Sequence, residues 1–417
     1  MKISPMILAA PLLLTAQTGL ANWTPYCTAE KSSQPRIIAY LGADSSWELK
    51  DKELAKLNEQ LGNVTLVNYA FARFGKDGQG NTVLTLSPGD IKTIQQLRQL
   101  RPDLPVMIAV GGWGDREGFK FLGQEEQITV FVDSVKTLLQ RYQLDGIDVD
   151  WENELLASDE EIAGVSTLLK RLHEALRRDG YCVSNAVPAT SAYWRHYPSA
   201  SEWQAHVNWT TVMAYDHYGT FGPRTELGAA LYDSQRRSDP TYPYPTTSGN
   251  QAIKHYYSQG LPADKLILGL PFYCHSYYVS NESIADNAQY PGLYTPVIDA
   301  NISSQISYDE AYQRYGDALF AHAVPYAKNS RQAVTFYGLI PLEKTDKSRF
   351  LSCENPEAIQ SKIDYVNGSN PLSEQVREPV RLGGVSFWSL QQDLPFTHEK
   401  SLLRALYNGF AAADSGH

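Results

Sequence analysis

The sequence predicts a (β/α)8 barrel with a small α+β insertion between its seventh strand and the helix that follows. Three observations lead there. Short β-branched runs alternate with amphipathic segments, eight such runs occur, and the stretch 276–352 breaks the rhythm.

Residues 37–41 read as the first strand, and 49–61 as the helix after it, with apolar residues at helical spacing. The second unit pairs a strand at 64–70 with a helix over 87–100, opened by Ser87-Pro88 and closed by Pro102. A third strand at 106–110 precedes a strongly amphipathic helix at 127–142. The fourth strand, 146–151, leads to a helix at 160–178 that ends at Asp179-Gly180. Runs at 182–187, 210–215, 266–270 and 384–387 supply strands five to eight. Alternation of this kind implies parallel strands joined by helical crossovers, and eight of them close into a barrel. The interval 276–352 is rich in Tyr, Ser and Asn and only weakly periodic, so it is assigned to the insertion. The barrel then occupies 22–275 and 353–417.

Residues 1–21 read as a secretory leader: Lys2 at the start, an apolar run over 7–14, and Gly19-Leu20-Ala21 before a cut. The apolar run is too short to span a bilayer. With 43% hydrophobic and 20% charged residues the chain can bury a large core unaided. A net charge of −10 argues against nucleic acid or an anionic membrane as partner, because both require a basic face. Four cysteines, Cys27, Cys182, Cys274 and Cys353, permit two disulfides in any of three pairings, and Cys182 and Cys274 read equally well as small core residues on strands. No zinc motif, serine-hydrolase elbow or nucleotide loop occurs, so neither metal nor cofactor is implied; a monomer is expected.

The chemistry concentrates on strand four. In Asp148-Val149-Asp150-Trp151-Glu152 the carboxylates fall at alternate positions, which on a strand turns all three to one face and Ile147, Val149 and Trp151 to the other. Like charges this close raise one another's pKa, so clustering them is costly unless protons are shared. A solvent-facing strand edge or a Ca²⁺ or Mg²⁺ site are the competing explanations. The apolar opposite face argues instead for a buried central strand whose C-terminal end, at Glu152, lies where barrel active sites are built. Asp145 is at an odd offset from the other acids and supports the turn into the strand.

At these residues the chain resembles glycoside hydrolase family 18, the chitinases and their relatives, whose strand-four motif D-G-x-D-x-D-x-E is matched by Asp145 to Glu152. The resemblance continues through Asn68-Tyr69-Ala70-Phe71, Gly111-Gly112-Trp113, Met213-Ala214-Tyr215-Asp216, Pro271-Phe272-Tyr273, and Gly383 to Trp388 followed by Asp393. It implies a chitin or N-acetylglucosamine oligosaccharide substrate and a retaining mechanism in which the substrate's own acetamido group is the nucleophile. Glu152 is then the general acid and later the base, Asp150 orients the acetamide, Asp148 shares a proton with Asp150, and Tyr215 holds the acetamide carbonyl. Asp216, Met213 and Tyr273 would bind the sugar, Trp388 would lie beneath it with Tyr40 and Phe71, and Trp113 would stack on the leaving side. An endo-β-N-acetylglucosaminidase acting on N-glycan cores and a silent chitin-binding lectin are the alternatives on the same fold. Trp47, Trp194 and Trp203 are expected to serve packing or surface rather than sugar stacking.

Two positions depart from the family pattern. The family's strand-three serine, a donor to the first motif aspartate, is Ala109, leaving Tyr40 or water to replace it. Where many members have arginine, this chain has His275, next to Cys274; the imidazole can substitute as a donor, but a lone histidine more often serves structure, so it is not counted among the catalytic residues.

Overall fold

The computed structural model describes residues 23–28, 35–42, 51–115, 117–152, 154–218, 222–233, 248–284, 289–298, 304–325 and 334–415. The expected leader, Trp47 and the first residues of the helix predicted from 49 lie outside the described residues.

Eight parallel strands form the barrel: β1 (Arg36–Gly42), β2 (Leu66–Lys76), β4 (Val106–Gly111), β5 (Gly146–Asp150), β6 (Cys182–Pro188), β7 (Trp209–Met213), β8 (Leu266–Pro271) and β15 (Gly384–Trp388). Their order is sequential, and β1 pairs with both β2 and β15, which closes the sheet. Period-two alternation decides which side chains go inside. Ile37, Ala39, Val149 and Phe387 join the large core between strands and helices. Ile38, Leu66, Met107, Cys182, Trp209 and Ile267 fill the barrel's interior. The predicted strand and helix positions are met throughout, with boundary shifts of a few residues.

The hairpin that extends the second strand was not predicted. The second strand continues past Ala70 and folds back through β3 (Thr82–Thr85), an antiparallel partner of β2. Asp77 turns the hairpin by accepting hydrogen bonds from the N–H groups of Gln79 and Asn81.

The insertion is an antiparallel sheet whose first strand, β9 (Tyr273–Ser280), follows directly on β8. β9 is flanked by β10 (Val297–Ile298) and β11 (Ser304–Ser307) on one side and β14 (Lys347–Cys353) on the other, and β13 (Val334–Pro341) and β12 (His322–Pro325) continue the sheet beyond β14. The sheet therefore begins at Tyr273, ahead of the expected boundary at 276. Its own small core includes Leu227, Tyr277, Leu293, Tyr337 and Phe350.

The cysteines are paired rather than single core residues: Cys27 with Cys182, and Cys274 with Cys353. The first bridge ties the turn Tyr26–Thr28 to the barrel interior, where Tyr26 and Cys27 pack on the Ile38–Trp209 cluster. The second joins the first and last long strands of the insertion at their shared end with the barrel. By chain-entropy reasoning, the 155-residue separation of the first bridge makes it the larger contributor. Under denaturing, non-reducing conditions the chain is expected to show no titratable thiol, and Cys27→Ser should cost about 2–5 kcal/mol, read as a lower urea midpoint. Measurable free thiol in the parent, or an unmoved midpoint in the variant, would contradict this pairing.

Candidate active site

Asp148 and Asp150 face the barrel interior from β5, and both are buried. Ile147, Val149 and Trp151 lie in the outer core, as the alternation requires. Glu152 follows just past the strand's end and is half-buried at the C-terminal rim.

Asp148 has no exposed surface and is met by two hydroxyls. Tyr40 donates to Oδ2 at 2.7 Å, and Ser184 donates to Oδ1 at 2.5 Å. Burial raises the Asp148 pKa above the usual carboxylate range, and the Ser184 and Tyr40 hydrogen bonds offset only part of that. Tyr40 thus takes the place of the donor lost at Ala109, which packs against it. Ser184, directly paired with Asp148 across β5 and β6, is a contact that the sequence reading missed. Its only advance signal is a polar residue between Cys182 and Ala186 on the face of β6 that alternation turns inward.

Two glycines let the neighbouring backbone come close. At Gly111 (φ 107°) a Cβ would stand 2.0 Å from the Asp150 carbonyl oxygen, and at Gly112 (φ 88°) it would meet the Phe71 ring at 2.6 Å. The Gly112 N–H donates to that same Asp150 carbonyl at 2.8 Å.

Tyr40, Phe71 and Trp388, from three different strands, are brought together. Phe71 stacks on Trp388 with centroids 5.5 Å apart and rings 19° from parallel, and Tyr40 lies 5.9 Å from the same indole. The Ala70–Phe71 and Trp388–Ser389 peptide bonds are both cis. Trp113 stands 76% exposed on the loop after β4. A cleft of about 560 Å³ is lined by Phe71, Arg73, Phe74, Gly111 and Gly118.

Met213 ends β7, and Tyr215 and Asp216 follow. Burial, then the negative charges of Asp150 and Glu152, hold the Tyr215 phenol well above the usual tyrosine range, so it remains a hydroxyl donor. The ring packs edge-on to Tyr273 at 6.2 Å. Asp216 has φ 52° and accepts two hydrogen bonds on Oδ1, from Tyr273 at 2.8 Å and from His275 Nε2 at 2.7 Å. His275 is therefore part of the site.

Other acids and tryptophans stay outside it. Asp145 accepts from the N–H groups of Tyr26 and Val106 and from Arg98 at the opposite end of the strand. Asp393 accepts from Ser401 and from the N–H groups of Leu394, Leu402 and Leu403, anchoring the start of the last helix, and burial pushes it up to about 6. Trp194 stacks on His255, and Trp203 is buried in the core with its N–H on the Pro198 carbonyl. Among the described residues no group of three or more His, Cys, Asp and Glu could hold a metal ion.

Comparisons with known proteins bear on the family and the fold. The family model for glycosyl hydrolases family 18 matches residues 36–393. Chitinase A1 of Niallia circulans is 24% identical over 87% of this chain and 51% of its own length, so the chain spans about half of that curated relative. A class V chitinase of Nicotiana tobaccum in complex with NAG4 superposes with a TM-score of 0.68 at 20% identity, covering 90% of this chain and 99% of that one. A family 18 N-acetylglucosaminidase from Paenibacillus barengoltzii gives 0.67 at 24% identity, covering 90% and 99%. At these identities the superpositions establish a shared fold.

Because burial raises the Asp148 pKa in the folded state, the native chain binds this proton more tightly than the unfolded chain does. The stability that follows is present below the unfolded value of about 3.9 and is lost as pH rises through the folded one. Asp148→Asn removes that loss. By calorimetry it is expected to melt above the parent at pH 7, with the gain shrinking toward pH 4, while activity collapses. A variant that melts lower at pH 7 would show the carboxylate to be a net stabiliser.

Proposed function

The chain belongs to glycosyl hydrolases family 18, and from that premise we propose that it is an exported chitinase, hydrolysing β-1,4 bonds between N-acetylglucosamine units with retention. The observation that carries the reading is the row Asp148, Asp150, Glu152 on one face, flanked by the Trp388 floor and the Tyr215 hydroxyl. The curated relative named chitinase A1 and the tobacco chitinase bound to NAG4 support the substrate class.

The steps follow from the layout. The sugar left of the scissile bond packs its apolar face on Trp388. The Glu152 carboxyl gives its proton to the glycosidic oxygen, and the C1–O bond breaks as the carbonyl oxygen of the substrate's acetamido group bonds to C1. Tyr215 holds that carbonyl in line, where correct placement alone is worth orders of magnitude. Asp150 receives the acetamide N–H as positive charge develops on the oxazolinium ring, and Asp148, held by two hydroxyls, takes up or releases the compensating proton. Water then attacks C1, the Glu152 carboxylate accepts its proton, and the ring reopens to the original acetamide. Two successive attacks on opposite faces leave the product in the β configuration.

The leader read at 1–21 and the two disulfides both favour an oxidising, extracytoplasmic destination.

Incubation with N-acetylglucosamine hexamer is expected to give shorter oligomers, with the β anomer first by NMR. Glu152→Gln should lose about 10²–10⁴ in kcat without a change in melting temperature. Tyr215→Phe should lose about 10–100-fold. Intact hexamer from the wild type would sink the reading, and cleavage of an N-glycoprotein by the same sample would replace it with the glycan-core activity.

A further inference from the structure

We propose that His275 is a positioning residue of this site: by donating from Nε2 to Asp216 Oδ1 it fixes the carboxylate that receives the sugar, so that the insertion sheet helps determine substrate affinity. The inference rests on the chitinase reading above.

Asp216 is 41% exposed at the side chain, beside Tyr215, with both of its hydrogen bonds on Oδ1. Its second oxygen is thereby the one presented to an incoming hydroxyl. Two donors on a single oxygen define the plane of a carboxylate that one donor would leave free to turn. Both donors come from β9, the strand that leaves the barrel to begin the insertion.

His275 is built to be immobile. It is 4% exposed, and its backbone pairs with Gln305 on one side and Ser352 on the other. The Cys274–Cys353 bridge stands beside it. Gly228 makes room for the ring: a Cβ there would meet His275 Cδ2 at 2.5 Å. That glycine is itself held, its N–H on Ser352 Oγ at 3.0 Å and its carbonyl accepting from the His217 N–H at 3.0 Å, one residue after Asp216.

The ring's other nitrogen, Nδ1, is buried without a hydrogen-bond partner. The hydrogen-bonded form is then the tautomer with the proton on Nε2, because a buried N–H lacking an acceptor is costly. A side chain serving only to fill this space would gain nothing from an unsatisfied polar atom. The contact with Asp216 is what the imidazole adds.

Wild type, His275→Gln, His275→Asn and Gly228→Ala are compared on N-acetylglucosamine hexamer, with melting curves for each. Glutamine can place its amide nitrogen where Nε2 lies, whereas the asparagine nitrogen reaches only the position of Nδ1. Asparagine is expected to lower kcat/KM about tenfold, mostly through KM, as loss of one charge-assisted hydrogen bond would. Glutamine should stay within about threefold of wild type, because it restores that one bond. Gly228→Ala leaves His275 chemically intact and displaces its ring, so it should raise KM as asparagine does, and it decides the matter if both His275 variants fail to fold. Equal losses in Gln and Asn, a loss confined to kcat, or an unchanged KM in Gly228→Ala overturns the role of His275 while the wild type still cleaves. An inert wild type overturns the chitinase reading and this inference with it.

Discussion

A carboxylate at the centre of a closed parallel barrel is cut off from water, and its charged form survives there only if donors meet both oxygens. Asp148 is in that position, and its two donors come from β1 and β6, on opposite sides of β5 in the barrel wall. Each contact requires the strands to hold their register, since a slip of one residue would turn Tyr40 or Ser184 outward. Closure of β1 onto β2 and β15 is therefore also what keeps the acid supplied with donors.

The same closeness governs the rim. Backbone at the end of β4 touches the Asp150 carbonyl, which only glycine permits at 111, and the next glycine leaves space for Phe71 against Trp388. Trp151, fully buried on the outer face and 5.5 Å from Tyr197, anchors the strand from behind. The half-buried Glu152 is consequently held by a strand fixed on both faces, on rigid structure rather than a free loop. That is the arrangement expected of a group that must meet a glycosidic oxygen within tenths of an ångström.

How much of this was legible depended on chain distance. The three acids lie within five residues at the end of one strand, so period-two alternation alone places them on one face, and the barrel class followed from the alternation of strands and helices. The floor at Tyr40, Phe71 and Trp388 required the family resemblance, because three strands far apart in sequence contribute to it. Ser184, 36 residues from Asp148, and His275, 59 from Asp216, depend on register and on the direction in which the insertion leaves the barrel. Neither is encoded in a local pattern. The β2–β3 hairpin escaped for another reason: its second strand is only four residues long, too short for periodicity to stand out.

Among the described residues, the buried aspartates at 145, 148 and 393 each have a raised pKa with burial as the first cause, so burial alone does not separate chemistry from scaffolding. The partners do. Asp145 is bound by a guanidinium and two backbone N–H groups, and Asp393 by three backbone N–H groups and one hydroxyl. A backbone N–H or a guanidinium can only donate, so protonating either carboxylate would leave donors facing a proton. Asp148 is held by two hydroxyls and no cation, and a hydroxyl can rotate from donor to acceptor. Of the three, it alone can gain or lose a proton without abandoning its hydrogen bonds, which is the property a carboxylate needs if charge is to move through it during each turnover.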